Sequence, residues 1–236
     1  MSETAPVIIE RRELRNRTRV FRDRAHAGAV LAELLAPRFD RRAHALLLAI
    51  PAGGVPVAAP IAQRLALPLD VAVVSKITLP WNTESGYGAV AFDGSAYLND
   101  PLIHQIGLGE AEIEAGLART RERVARRNTT LRGNRSYASV RGSDVVLVDD
   151  GLASGFTLRA AIAALRAASA ATISVAVPTA HEFSARAIAA LVEELYCANV
   201  RGGYRFAVAD AYEEWSDVDE ETARAILATS HPAAPS

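Results

Sequence analysis

Residues 145–157 read Val-Val-Leu-Val-Asp-Asp-Gly-Leu-Ala-Ser-Gly-Phe-Thr. The order predicts a buried strand, a tight loop and the start of a helix. Val145 to Val148 are four apolar strand formers, Asp149 and Asp150 stand where the strand ends, and an alanine-rich run opens at Thr157. Between them, the small residues Gly151, Ala153, Ser154 and Gly155 let the chain turn closely. Amides of Gly151 to Thr157, with the hydroxyls of Ser154 and Thr157, can ring a phosphate at the helix N-terminus, where the dipole favours negative charge. The two carboxylates just upstream can accept hydrogen bonds from neighbouring sugar hydroxyls. The arrangement suits a phosphorylated sugar. An ordinary strand-to-helix turn with solvated acids is the plainer reading, but paired acids beside a glycine and then Ser-Gly-x-Thr are hard to reach that way.

Outward from this stretch, the chain alternates strands and helices. Upstream, the spacing of Phe21, Gly28, Leu31 and Leu35 predicts a helix over Phe21–Ala36, closed by Pro37. Ala45–Ile50 reads as a strand, followed by Pro51-Ala52-Gly53-Gly54 and a helix through about Leu65. Asp70–Ser75 reads as a second strand ending at Lys76. The polar, turn-rich Ile77–Gly88 favours neither regular element and is expected to move as a lid. Ala89–Phe92 and Ala96–Leu98 flank Asp93-Gly94-Ser95 as a hairpin. Glu110–Arg127 is a helix with acids at its start and basic residues at its end, so Arg119, Arg121, Arg123, Arg126 and Arg127 are expected to form a mostly solvated face.

Downstream, the helix Thr157–Ala168, a strand over Thr172–Val177, a helix over Phe183–Leu191 and a strand over Leu195–Ala198 continue the pattern. The expected fold is α/β, a mainly parallel sheet with helices on both faces and a small terminal hood or lobe. Three parts are expected: an N-terminal extension over 1–19, a core over 20–200, and a C-terminal lobe and tail over 201–236. That last part carries Tyr204, Phe206, Tyr212 and Trp215, suited equally to packing and to stacking on a ring, then a helix over about Asp219–Leu227 and a fraying Ala-Pro end. In parallel sheets, ligands gather beyond the carboxyl ends of the strands. The loops after Ile50, after Ser75 and after Val148 should therefore meet in one site.

Composition narrows the classes. The 236 residues are half hydrophobic with a net charge of −1, so no general basic field invites nucleic acid or an anionic membrane. No segment reaches the ~20 apolar residues that span a bilayer, and the first 19 lack the apolar run of a signal peptide; a cytoplasmic protein is expected. The lone Cys197 reads as a buried small side chain. His26, His44, His104, His181 and His231 show no metal-ligand spacing. Arginines number 25, and Lys76 is the single lysine, which singles it out.

The Asp149-Asp150 loop resembles the ribose 5-phosphate loop of type I phosphoribosyltransferases, which bind phosphoribosyl pyrophosphate (PRPP). It is not the phosphate loop of nucleoside triphosphatases, since no Gly-Lys-Ser/Thr follows the strand. Phe21-Arg22-Asp23-Arg24 with Ala27-Gly28, the run Gly53–Ala58, Leu69-Asp70-Val71, Lys76, Gly88–Ala91, and Phe206-Ala207-Val208 with Tyr212 resemble a bacterial group of uncharacterised phosphoribosyltransferases, over nearly the whole chain from residue 20. The resemblance implies Mg²⁺-dependent transfer of the 5-phosphoribosyl group from PRPP to a small acceptor, with release of pyrophosphate.

By the same resemblance, Asp149, Asp150, Gly151, Leu152, Ala153, Ser154, Gly155, Phe156 and Thr157 would bind PRPP. Asp149 and Asp150 would also organise Mg²⁺ through water. Ala52, Gly53, Gly54 and Lys76 would face pyrophosphate, and Lys76 would join the two acids in catalysis. Two positions depart from that group, which usually has arginine where this chain has Ala52 and Ser75. Weak or altered turnover is the expected consequence. A non-catalytic sensor of PRPP or a nucleotide, and a phosphorylase or hydrolase of the phosphoribosyl group, are the alternative readings; a homo-oligomer is compatible with each.

Overall fold

The computed structural model describes residues 6–133 and 135–230. Six parallel strands form the main sheet: β1 (Ile8–Ile9), β2 (Ala45–Ala49), β3 (Leu69–Val71), β7 (Asp144–Val148), β8 (Thr172–His181) and β9 (Glu194–Arg201), in the order β1-β9-β8-β7-β2-β3. A second, antiparallel sheet holds β4 (Ser75–Leu79), β5 (Asn82–Val90) and β6 (Ala96–Leu98) in that order. The helices are α1 (Arg24–Phe39), α2 (Gly54–Leu65), α3 (Asp100–Ile106), α4 (Glu110–Arg132), α5 (Phe156–Ala167), α6 (Glu182–Ala189) and α7 (Glu220–Ser230).

Both faces of the main sheet are covered, which is why β2 is wholly apolar and β7 is apolar after Asp144. Leu47, Ala49, Val146 and Val148 pack with Leu31 and Leu35 of α1 and Val57 and Ile61 of α2. The alternate residues Leu46, Leu48, Val145 and Leu147 pack with Leu158, Ile162 and Leu165 of α5 and Ile188 of α6. Close approach of α1 to α2 depends on Gly28, where a Cβ would lie 2.2 Å from the Val57 carbonyl oxygen. From β2 the chain moves outward to β3, whereas from β7 it moves the other way to β8 and β9. The strand order therefore reverses between β2 and β7, the place where a crevice opens at the carboxyl edge of such sheets. Ala49 pairs with Val148 there.

Several expectations need correction. Pro37 does not close α1; it lies inside the last turn, and the helix runs on to Phe39. The strand expected over Asp70–Ser75 ends at Val71, and Ser75 opens a strand of the other sheet. The segment Ile77–Gly88 does not lack regular structure: its two ends pair in the β4–β5 ladder, with Ile77 opposite Gly88. Ile77 and Tyr87 are fully buried, and Trp81 at the bend is exposed. Its glycines, which read as turn signals, instead make room. A Cβ on Gly88 would meet the Tyr97 carbonyl oxygen at 2.3 Å, and one on Gly86 would meet the Lys76 side chain at 2.4 Å.

The small second sheet is consequently not terminal but lies mid-chain, and the hairpin expected at residues 89–98 is its β5–β6 half. The helix α3 was not anticipated. Ile8 and Ile9, within the expected extension, add a strand to the edge of β9. The C-terminal part contributes a short 3-10 turn over Val208–Ala211 and α7, which packs on α2 and α4. The Ala-Pro end and His231 lie outside the described residues.

Candidate functional site

A cleft of 640 Å³ opens at the reversal point between β2 and β7. Ile50, Pro51 and Gly53 line it from the loop after β2, Ser75 and Lys76 from β4, Asp149, Asp150 and Thr157 from the loop after β7, and Arg123, Arg126, Arg127 and Thr130 from α4. The three loops singled out in the sequence thus meet.

The loop after β7 is anchored through its backbone. Leu152 bonds twice to the end of β8: its N–H donates to the Thr179 carbonyl at 2.9 Å, and its carbonyl accepts from the His181 N–H at 3.0 Å. The Ser184 hydroxyl donates to the Ala153 carbonyl. Gly151 cannot carry a side chain, because a Cβ would meet Val208 at 2.3 Å. Gly155 has φ +77°, the left-handed region glycine favours. The first intrahelical bond of α5 runs from the Arg159 N–H to the Gly155 carbonyl at 2.9 Å. The amides of Phe156, Thr157 and Leu158 are left over at the helix N-terminus, available to an anion. Ser154 is exposed and Thr157 faces the cleft. Leu152 and Phe156 can offer only backbone, since Leu152 is buried and the Phe156 ring packs toward Tyr97 at 6.0 Å.

The two acids differ in their surroundings. Arg24 grips Asp150 Oδ2 with Nε at 3.0 Å and Nη2 at 2.9 Å. The same guanidinium donates to the Ser216 carbonyl at 2.7 Å and lies 3.8 Å over the Trp215 ring. Tyr212 donates its hydroxyl to the Asp150 carbonyl at 2.6 Å. Asp149 makes no ion pair among the described residues; its Oδ1 accepts from the Asp150 N–H at 2.9 Å. Burial, then the Asp150 charge, hold the Asp149 carboxyl well above the usual carboxylate range. Burial also raises Asp150, with the Arg24 charge and hydrogen bond pulling it back.

Opposite stands the loop after β2. A Cβ on Gly53 would meet Asp150 Oδ2 at 2.1 Å, and one on Gly54 would meet the Val148 carbonyl oxygen at 2.6 Å. This Gly-Gly pair lets the loop close directly on the acids. Ala52 is half-buried against the core. Arg127 ties the wall together: Nη2 donates to the Pro51 carbonyl at 3.0 Å, Nη1 to the Val74 carbonyl at 3.2 Å and the Ser75 hydroxyl at 3.3 Å, and Nε to Glu220 at 2.6 Å.

Arg119, Arg121, Arg123 and Arg126 are exposed, as the reading of a mostly solvated face has it, and Arg127 is partly buried; that reading did not include the place of Arg123, Arg126 and Arg127 in the lining of the cleft. Their spacing, at 123, 126 and 127, put them on one helical face and was the available signal. Arg24 was missed as a part of the site, whereas Tyr212 and Trp215 were read as suited equally to packing and to stacking on a ring. Tyr212 proves structural, buried beside Phe21 with ring centroids 5.7 Å apart.

The Phosphoribosyl transferase domain profile matches residues 26–198. The chain belongs to the phosphoribosyl transferase family. It is 32% identical over 213 residues to the Mycobacterium tuberculosis protein Rv0571c, and equally to its counterpart MT0597 in another strain, both of whose names propose a phosphoribosyl transferase. The match covers 90% of this chain and 47% of each relative, so the chain spans about half the length of the curated relatives it matches. Among solved structures, TT1426 from Thermus thermophilus is similar at 34% identity and a TM-score of 0.70, over 90% of this chain and 99% of that one. The parallel sheet with helices on both faces is thus the expected family fold. Among the described residues no helix is long and apolar enough to cross a membrane, and no three His, Cys, Asp or Glu side chains cluster as metal ligands.

Proposed function

We propose that this family member transfers the 5-phosphoribosyl group of PRPP to a small nucleophilic acceptor and releases pyrophosphate. The observation that carries the reading is the facing pair at the strand reversal: Asp149 and Asp150 with the amide-lined start of α5 on one side, and the Gly53-Gly54 loop closed against Asp150 on the other. A 5′-phosphate takes the α5 N-terminus, the ribose hydroxyls meet the carboxylates, and the diphosphate lies toward residues 50–54 and Lys76.

Breaking the anomeric carbon–oxygen bond builds positive charge on the sugar and negative charge on the leaving group. The chain's task is to position both and stabilise the separated charge. Asp149, which has no cationic partner among the described residues, offers its oxygens to a ribose hydroxyl, and its negative charge lies close to the developing sugar cation. Asp150 is held in place by Arg24. Lys76 and the loop amides supply positive potential where the leaving oxygens gather. The donor set fits Mg²⁺, which keeps several waters and takes one or two carboxylates plus substrate phosphates rather than an all-protein cage. Asp149 and Asp150 would hold it, directly or through water, and it would neutralise diphosphate charge.

Incubation with PRPP, Mg²⁺ and a panel of bases, followed by assay of pyrophosphate and nucleotide, tests the reading. Nucleotide formation with pyrophosphate release supports it. Ribose 5-phosphate as the only sugar product indicates hydrolysis instead, and binding without turnover indicates a sensor. The combined Asp149→Asn and Asp150→Asn variant is expected to lose detectable PRPP binding, because each charge-assisted hydrogen bond lost costs about 1.5–3 kcal/mol. Wild-type affinity in that variant, by calorimetry, overturns the role given to the acids.

A further inference from the structure

The two positions at which this chain lacks an expected arginine, Ala52 and Ser75, lie in the loop after β2 and at the start of β4, which Arg127 bridges from α4. On the same helix, four residues and one residue earlier, Arg123 and Arg126 line the cleft without an ion pair to any described side chain. Residues three and four apart on a helix lie about 5–6 Å from each other. Two planar guanidinium forks at that spacing can take oxygens of both phosphoryl groups of a diphosphate.

The charge around the cleft leaves them available. Arg127 is matched by Glu220 and Asp150 by Arg24, so Arg123 and Arg126 outweigh the charge of Asp149, the other acid of the lining. An excess of positive charge at this wall, beside the Gly53 loop, suits a polyanionic group and repels a cationic one.

We propose that α4 supplies the diphosphate site of this chain, with Arg123 and Arg126 binding the leaving pyrophosphate of the donor and Arg127 positioning the loops around it. The inference rests on the phosphoribosyl-transfer reading and adds to it the source of the missing cations. Both arginines are exposed, so their replacement leaves the core untouched.

Calorimetry with magnesium pyrophosphate and, separately, with ribose 5-phosphate tests the assignment. The Arg123→Ala/Arg126→Ala variant is expected to bind pyrophosphate about tenfold or more weakly while binding ribose 5-phosphate as the wild type does. The Arg64→Ala/Arg141→Ala variant, which removes two exposed charges outside the cleft, is expected to bind both ligands normally. Unchanged pyrophosphate affinity in the α4 variant overturns the arginine assignment, and ribose 5-phosphate binding then leaves the transfer reading standing. An equal loss in the Arg64/Arg141 variant, or an equal loss of ribose 5-phosphate in the α4 variant, also overturns it. A wild-type protein that binds neither ligand overturns both readings.

Discussion

Asp149 follows β7 half-buried, with the Asp150 charge beside it, and its own proton affinity is raised. Such a carboxyl lowers the stability of the free protein at neutral pH. As pH falls from the raised folded-state value toward the ordinary 3.8, the native state takes up the proton before the unfolded chain does. This group's contribution therefore stabilises the protein on acidification through that window and destabilises it as pH rises back through it. Asp149→Asn keeps the oxygen that accepts the Asp150 N–H and removes the charge. It should raise the melting midpoint of unliganded protein at pH 7 by a few degrees, at about 2–4 °C for each kcal/mol, and flatten this part of the pH dependence. The same variant should bind 5′-phosphoribosyl ligands more weakly. A lowered midpoint in scanning calorimetry contradicts the electrostatic account of this residue.

At the scale of elements, α4 and the β4–β5 hairpin form one packed unit. Gly116 of α4 faces the Tyr87 hydroxyl, which a Cβ there would approach to 2.2 Å. That hydroxyl is buried and lacks a hydrogen-bond partner among the described residues. Gly116→Ala should destabilise by about 1–3 kcal/mol through overpacking. In a Tyr87→Phe background the cost should shrink, because the crowding oxygen is gone. Denaturant midpoints for the four proteins of this cycle measure the coupling, and strictly additive effects refute the contact. The hairpin was hidden in the sequence because its polar bend and the glycines at 86 and 88 read as turn signals, and register shifts between Ile77 and Leu79 break the alternation that marks a strand. In β7 and α5 the opposite holds: an apolar strand and an alanine-rich amphipathic helix are each bounded by their own turn chemistry, and local pattern suffices. The α4 arginines are mostly solvated as expected, but the cleft that Arg123, Arg126 and Arg127 line was hidden. Dipole complementarity explains their place along the helix but does not say what the helix faces.

Across the whole molecule, Arg24 joins the N-terminal helix, the end of the central strand and the C-terminal segment. Its partners are Asp150, the Ser216 carbonyl and the Trp215 ring, from widely separated stretches of chain. Replacing it leaves a buried carboxylate without its cation, so Arg24→Met should cost about 3–5 kcal/mol. Asp150→Asn in the same chain should recover much of that loss. Failure of the second change to restore the chemical-denaturation midpoint places the cost elsewhere. No local pattern could reveal this junction, because it depends on the return of residues 207–216 across the sheet edge. The converging loops, by contrast, followed from alternating strands and helices alone. The stacking of Trp215 on Arg24 also makes the molecule its own optical gauge. The chain has two tryptophans, and in a Trp81→Phe background Trp215 is the remaining emitter, one guanidinium away from Asp150. Occupancy of the acid pair then reads out as a change in intrinsic fluorescence, with no label attached and no acceptor known in advance.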